Sequence, residues 1–201
     1  MAGSKIRLYG STSGYVELEA PAVGDDGVLS LPTAAGGFGA AGIGSNVVQT
    51  VKTDTFTTAS TSFVDVTGFT VSITPSSTSS KILVIASFTL AGTGSRQAGN
   101  SYGISARLRR DSTDIYIGDV AGSRTRASTG VAPYHAEDYA QNTLIFLDSP
   151  NTTSSVTYGM QVAHPTNSQG RLVTIGRSGT DADNNQYSRH PSSYTAIEVA
   201  A

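Results

Sequence analysis

The chain has 201 residues, a formal net charge of −2 and no cysteine. The near-neutral charge argues against a nucleic-acid-binding protein, because such proteins carry a basic excess. The absence of cysteine excludes a disulfide framework, a thiol nucleophile and a cysteine-based metal site. No apolar run approaches the roughly 18 residues that span a bilayer. We therefore expect neither nucleic acid nor a membrane as a partner, and the hydrophobic share of 38% indicates a folded chain.

The first 34 residues contain three short strand-like segments separated by glycine-rich turns. Their apolar residues are Ile6, Leu8 and Tyr9 in the first, Tyr15, Val16 and Leu18 in the second, and Val28, Leu29 and Leu31 in the third. Strands this short bury too little surface to offset a chain entropy of roughly 1–2 kcal/mol per residue. We therefore predict an N-terminal docking arm that lies on another surface through these side chains. The sequence leaves open whether that surface is the main domain, a sister subunit or a larger assembly.

Residues 35–45 are almost entirely glycine and alanine and are predicted to form a linker. Phe38 is one of two bulky residues in this segment, and we expect it to attach the linker to a surface. The start of the chain lacks the apolar stretch of a secretory signal, so we expect synthesis and initial retention in a cytoplasm.

From residue 46 to residue 201 the chain is predicted to be a single β domain. Phe69, Val71 and Ile73 alternate with polar residues, as in a half-buried strand. Lys81–Ala86 is a nearly unbroken apolar run, which predicts a central strand buried on both faces. Short strands with Gly, Pro and Ser/Thr turns favour an all-β fold, an antiparallel β-sandwich that is jelly-roll-like and carries an extended N-terminal β arm. Further strands are predicted over Thr50–Thr58, Tyr102–Arg109, Leu144–Leu147, Val156–Val162, Leu172–Ile175 and Tyr194–Val199.

Residues that could carry chemistry are few, and each has a simpler interpretation. The three histidines lack the close spacing of a zinc site. Asp111 and Asp114 fit a turn between strands better than a catalytic carboxylate pair. Asp181–Asn185 resembles the start of a calcium-binding loop. An EF-hand then needs Gly at the sixth position and Glu at the twelfth, where this sequence has Gln186 and Ser192. We expect no catalytic residue, no metal, no cofactor and no enzyme activity.

One basic cluster and several tyrosines are candidates for binding surfaces. Arg107, Arg109 and Arg110 lie close together on one predicted strand, and forked guanidinium groups suit interfaces. The cluster fits either a face paired with acidic residues or a docking surface for a protein partner. Tyrosines at 134, 139, 187 and 194 fall in or beside predicted loops, where aromatic rings stack on sugars or pack between subunits.

Two stretches resemble a known group of proteins. Residues 5–23, KIRLYGSTSGYVELEAPAV, closing with LSLP at 29–32, look like the N-terminal segment of virion structural proteins of tailed phages, notably those that infect cyanobacteria. Residues 64–84, VDVTGFTVSITPSSTSSKILV, are similar to the β-rich domain of phage fibre-like and decoration-like proteins. The two stretches together cover about a fifth of the chain.

The resemblance implies a non-enzymatic virion protein, assembled in the host cytoplasm and usually trimeric. It implies a capsid decoration, or cement, protein that stabilises the head, with the major capsid protein or other virion subunits as partners. The alternative is a short tail fibre, adhesin or tail component that binds a host surface glycan. Most fibre members are longer and carry repeats or a receptor domain, and we predict neither from this sequence.

Overall fold

The structure, a computed structural model, describes residues 5–9, 15–19, 46–93, 103–133, 135, 137–165 and 171–199. The chain divides into two compact units, Met1–Gly39 and Ala40–Ala201. The described residues contain strands, turns and irregular segments but no helix, so none of them could contribute a membrane-spanning helix.

In the first unit, the described backbone is one antiparallel pair of strands. β1 (Lys5–Tyr9) pairs with β2 (Tyr15–Glu19), and the register sets Ile6 opposite Leu18 and Leu8 opposite Val16. The predicted strand at 28–31 and the predicted linker lie outside the described residues.

The second unit contains eleven strands among its described residues. Eight of them form the sandwich: β3 (Val47–Lys52), β5 (Val64–Ile73), β6 (Lys81–Gly92), β7 (Ile104–Arg110), β8 (Thr113–Ile115), β10 (Tyr139–Asp148), β11 (Val156–Ala163) and β13 (Ser192–Val199). Three short strands extend it: β4 (Phe56–Thr58), β9 (Thr129–Val131) and β12 (Val173–Ile175).

The strand order is that of a jelly roll. One sheet runs β3-β13-β6-β10, with β12 and β4 continuing it beside β6, and the other runs β5-β11-β7-β8, with β9 paired to β7. All pairings are antiparallel. Successive long strands alternate between the two sheets, which is the double Greek-key arrangement of this fold. The prediction of an all-β antiparallel sandwich is confirmed.

Aromatic rings join the two sheets at the centre of the core. Phe69 of β5 makes edge contacts with Tyr194 of β13 at 5.2 Å and Phe88 of β6 at 6.2 Å between ring centroids. All three rings are fully buried. The Tyr194 hydroxyl donates to the carbonyl of Gly159 in β11, at 3.2 Å. Tyr194 is therefore a core residue of β13 and is not an exposed aromatic that could stack on a sugar or pack between subunits.

β6 is the central strand of its sheet, as predicted, but it is not buried on both faces over Lys81–Ala86. There the burial alternates, with Ile82, Val84 and Ala86 in the core, while Leu83 and Ile85 remain partly exposed. Burial on both faces begins only at Phe88, where further chain covers the outer side.

Candidate interaction surfaces

The predicted arginine cluster lies on β7 and is engaged within the chain. Leu108 points into the core, so Arg107 and Arg109 lie on the outer face of the five-stranded sheet. Arg107 donates to Gln161 Oε1 at 2.7 and 3.0 Å and to Asp114 Oδ2 at 2.6 Å. Its guanidinium also stacks over the Phe63 ring at 4.1 Å. These contacts fix the side chain through a charge pair, hydrogen bonds and a cation–π contact.

The other two arginines of the cluster also have acidic partners. Arg109 Nε lies 3.2 Å from Asp114 Oδ1. Arg110 donates from Nη1 to both oxygens of Asp148 in the opposite sheet, at 2.8 and 2.9 Å. The predicted basic patch is therefore paired with carboxylates of its own chain, and docking of a partner through it stays a prediction.

Asp148 makes polar contacts from one sheet to the other. It is almost fully buried on β10 and accepts a 2.7 Å hydrogen bond from the Tyr158 hydroxyl of β11 as well as the bonds from Arg110. Burial, together with the Asp148 carboxylate, raises the pKa of Tyr158. The phenol therefore stays a neutral donor, as this bond requires.

A second buried carboxylate stands at the end of β13. Glu198 accepts from the Ser76 hydroxyl at 2.5 Å, from the Ser76 amide at 2.7 Å and from Asn46 Nδ2 at 3.1 Å. These donors, led by the Ser76 hydroxyl, lower the pKa of Glu198 to about 2. The carboxylate is thus charged and satisfied where the turn after β5 meets the last strand.

The remaining candidate residues include a turn aspartate and a buried histidine. Asp111 is the first turn residue between β7 and β8, with φ 51°, and its Oδ1 accepts from the Thr157 amide at 2.9 Å, so the predicted turn is confirmed. His164 is buried, and this burial lowers its pKa. Nowhere in the described ranges do three or more histidine, aspartate or glutamate residues gather closely enough to hold a metal ion.

The loop after β12 forms a polar surface pocket of about 430 Å³. Asp181 lies between two arginines, 2.8 Å from Arg189 and 3.8 Å from Arg177, and the hydrogen bond from Arg189 lowers the pKa of Asp181. Arg177 is buried and donates to the carbonyls of Ser178 and Gly179, which orders the start of the loop. The pocket is lined by Asp181, Ala182, Asp183, Asn184, Tyr187 and Arg189.

The predicted arm residues are only partly within the described chain. Ile6, Leu8 and Tyr9 belong to β1, and Tyr15, Val16 and Leu18 belong to β2. Val28, Leu29, Leu31 and Phe38 lie outside the described residues. Docking through the arm therefore stays a prediction.

Sequence reasoning missed the polar contacts that depend on distant segments. Glu198 and Ser76 are 122 positions apart, and Asp148 and Arg110 are 38 apart. No local signal marks either carboxylate as buried. No protein-family model matches the sequence, and no curated protein gives a significant match.

Proposed function

We propose that this chain is a non-enzymatic structural protein of a tailed-phage virion, a homotrimeric decoration protein that binds the capsid and stabilises the head. The resemblance of residues 5–23 and 64–84 to phage virion proteins supports this assignment, and the jelly-roll sandwich is compatible with it.

The observation that carries the proposal is the two-stranded sheet of the first unit. β1 and β2 have five residues each and pair with one another in the described chain. An isolated two-stranded sheet is marginally stable at best in water. An arm of this kind gains stability by docking, and the major capsid protein or another virion subunit is the partner we propose.

A decoration protein of this kind stabilises the shell by mass action. If it binds the assembled capsid and not the separated subunits, bound protein lowers the free energy of the shell relative to its parts. At a free concentration of about 100 times Kd, each site contributes about 2.7 kcal/mol. No catalytic step is needed.

Mapping the protein on intact phage particles tests the proposal. A labelled antibody viewed by electron microscopy should decorate the whole head. Label confined to the tail or to one vertex would contradict the decoration role.

The arm is tested separately by particle binding. Leu8→Asp combined with Val16→Asp places charges at paired positions of β1 and β2 and should abolish binding to undecorated heads. The matched control exchanges the paired charges through Arg7→Glu and Glu17→Arg, and it should bind normally. Normal binding by the first variant would exclude the arm as the anchor.

A second candidate function is a short tail fibre or adhesin, and the pocket after β12 favours it. Tyr187 offers an aromatic face, while Asp183, Asn184 and Arg189 offer donors and acceptors, which is chemistry that binds a saccharide. The test is retention of the protein on host polysaccharide. Loss of retention in Tyr187→Ala, with normal retention in the control Tyr116→Ala, would establish this function. Absence of retention would reject it.

A further inference from the structure

The outer side of the six-stranded sheet carries a continuous uncharged surface. Strand pairing sets the residues of β3, β13, β6 and β10 side by side in three rows. The rows are Val47, Ile197, Leu83 and Leu147; Gln49, Thr195, Ile85 and Ile145; and Val51, Ser193, Ser87 and Thr143. We call these twelve residues the outer patch. Seven of them are apolar and none is charged.

The apolar side chains of the outer patch are exposed. Val47, Val51, Ile145 and Leu147 are 45–57% exposed, and Leu83, Ile85 and Ile197 are partly exposed. Isolated apolar residues on a surface are ordinary, but six of these seven, all except Val51, are neighbours on adjacent strands and form one contiguous surface. Exposure of this kind marks an interaction site.

The same side of the sheet is covered at its other end. Thr89 and Ala91 of β6 and Thr174 of β12 continue the outer side and are fully buried. The loop after β12 reaches Thr174, whose hydroxyl donates to the Arg177 carbonyl at 3.3 Å, and the Thr89 hydroxyl donates to Gln141 Oε1 of β10 at 3.0 Å. Among the described residues of the second unit, one end of this side of the sheet is therefore buried, while the outer patch is exposed.

Three of the five polar residues of the patch, Gln49, Thr195 and Ser87, have hydrogen-bond partners within the sheet. Gln49 Nε2 donates to Thr195 Oγ1 at 2.8 Å, and Gln141 Nε2 donates to Ser87 Oγ at 3.0 Å. Burying a polar group is costly when it loses its hydrogen bonds, and these groups would keep theirs. The outer patch can thus be covered by an apolar surface at small cost.

The size of the patch fits the centre of a stable protein interface. Strands are spaced about 4.8 Å apart and alternate residues about 6.8 Å apart, so the patch measures about 20 Å each way with its side chains. An area of about 400 Å² is within the range of the largest patches on monomers, which are often functional. A stable interface needs about 800 Å² per partner, of which the patch supplies the apolar centre and its neighbours the rim.

We infer that the outer patch is the surface through which copies of this chain assemble with one another. Interfaces between identical subunits are more apolar than those of transient complexes, and charged residues are depleted at their centres. A partner that relied on charge complementarity would find no charge in the patch. The inference rests on the homotrimer of the proposed function and identifies its contact surface.

The edge strand β10 gives an independent reason for a second copy. From Tyr139 to Leu147 it has no charged residue and no proline, and within the described residues it pairs with β6 alone. Monomeric proteins protect long edge strands with lysine, proline or a bulge, because an unprotected edge recruits other strands. Assembly through the outer patch would cover Ile145 and Leu147 on this strand.

Sedimentation velocity of the full chain at several concentrations tests the inference. The test variant carries Ile145→Lys and Leu147→Lys, and Ile145→Thr keeps the β-branched side chain in case the lysines impair folding. The matched control is Val120→Lys, which changes an apolar residue that is 72% exposed and outside the patch. Circular dichroism monitors folding in each case.

We expect a trimer for the wild type and the control, a folded monomer for the double variant, and at least tenfold weaker association for Ile145→Thr. A trimer that survives both patch variants overturns the inference and leaves the homotrimer standing. A monomeric wild type overturns both the inference and the homotrimer. The virion assignment is then tested separately, by antibody labelling of phage particles. Trimers that persist but no longer bind heads would assign the patch to the capsid and contradict the inference.

Discussion

On the outer face of the five-stranded sheet Arg107 donates hydrogen bonds to both Gln161 and Asp114. The outer patch of the six-stranded sheet instead has seven apolar residues and no charge. Both faces belong to strands of one sandwich and turn away from one core. The charged side chains of the five-stranded sheet have partners within the chain, so this face is stable in contact with water. The outer patch leaves apolar surface uncovered, which fits a surface that meets another subunit.

The largest loss of folding stability is expected from a substitution at Asp148, whose contacts join the two sheets. Asp148→Asn removes the charge that holds Arg110 and weakens the bond from Tyr158. Breaking a nearly buried charge pair should lower the free energy of unfolding by about 2–4 kcal/mol. Urea unfolding measures the loss, and Asp119→Asn, at an exposed position, is the control that should change little. Equal effects of the two variants would contradict the role of Asp148.

Acid should act on folding through Glu198 and not on the outer patch, which has no titratable group. The pKa of Glu198, about 2 in the folded chain, lies below its ordinary value of 4.5. The stabilisation is therefore complete above about pH 4.5 and is lost as pH falls from there towards 2. Glu198→Gln should cost about 2 kcal/mol at pH 7 and flatten this pH dependence. A variant whose unfolding free energy keeps the wild-type slope over this window would refute the assignment.

On the polar face, Arg107→Ala should destabilise the chain without changing its assembly. The variant loses the contacts with Gln161, Asp114 and the Phe63 ring, which together should contribute about 1–2 kcal/mol. Denaturant unfolding measures this, with exposed Arg124→Ala as the control of the same residue type. A change in sedimentation for Arg107→Ala would contradict the division of roles between the two faces.

The smallest effect on folding is expected at the outer patch. Ile145→Thr changes an exposed side chain, so the stability of the separate chain should shift by no more than about 0.5 kcal/mol. Its effect should appear in the concentration dependence of Tm, because association stabilises the folded chain by mass action. We expect a shallower dependence than in the wild type. A large loss at the lowest concentration would show that Ile145 supports the fold itself.

The same comparison explains what the sequence could reveal. Alternation and turns predict the strands, because side chains on one face of a strand repeat every second residue. The strand order depends on pairings such as Gln49 with Thr195, which are 146 positions apart and leave no local signal. The jelly roll was therefore predictable as a class, while its order of strands was not.

The apolar run in β6 shows where the sequence misleads. Leu83 and Ile85 predict burial on both faces, yet both side chains are partly exposed on the outer side of the sheet. Hydrophobicity alone does not distinguish a side chain that its own domain buries from one that would be buried by a partner. The paired arginines present the opposite case, because their partners Asp114 and Asp148 lie on other strands and become neighbours only in the fold.

The most direct test measures whether the outer patch is buried in the assembled protein. The natural chain has no cysteine, so Ile145→Cys and Val120→Cys each introduce a single thiol. In the separate chain both positions are exposed, at 57% and 72%. Burial of the patch between copies predicts that a maleimide labels Ile145→Cys at least tenfold more slowly than Val120→Cys, with equal rates in urea. Equal rates in the native protein at every concentration would contradict it.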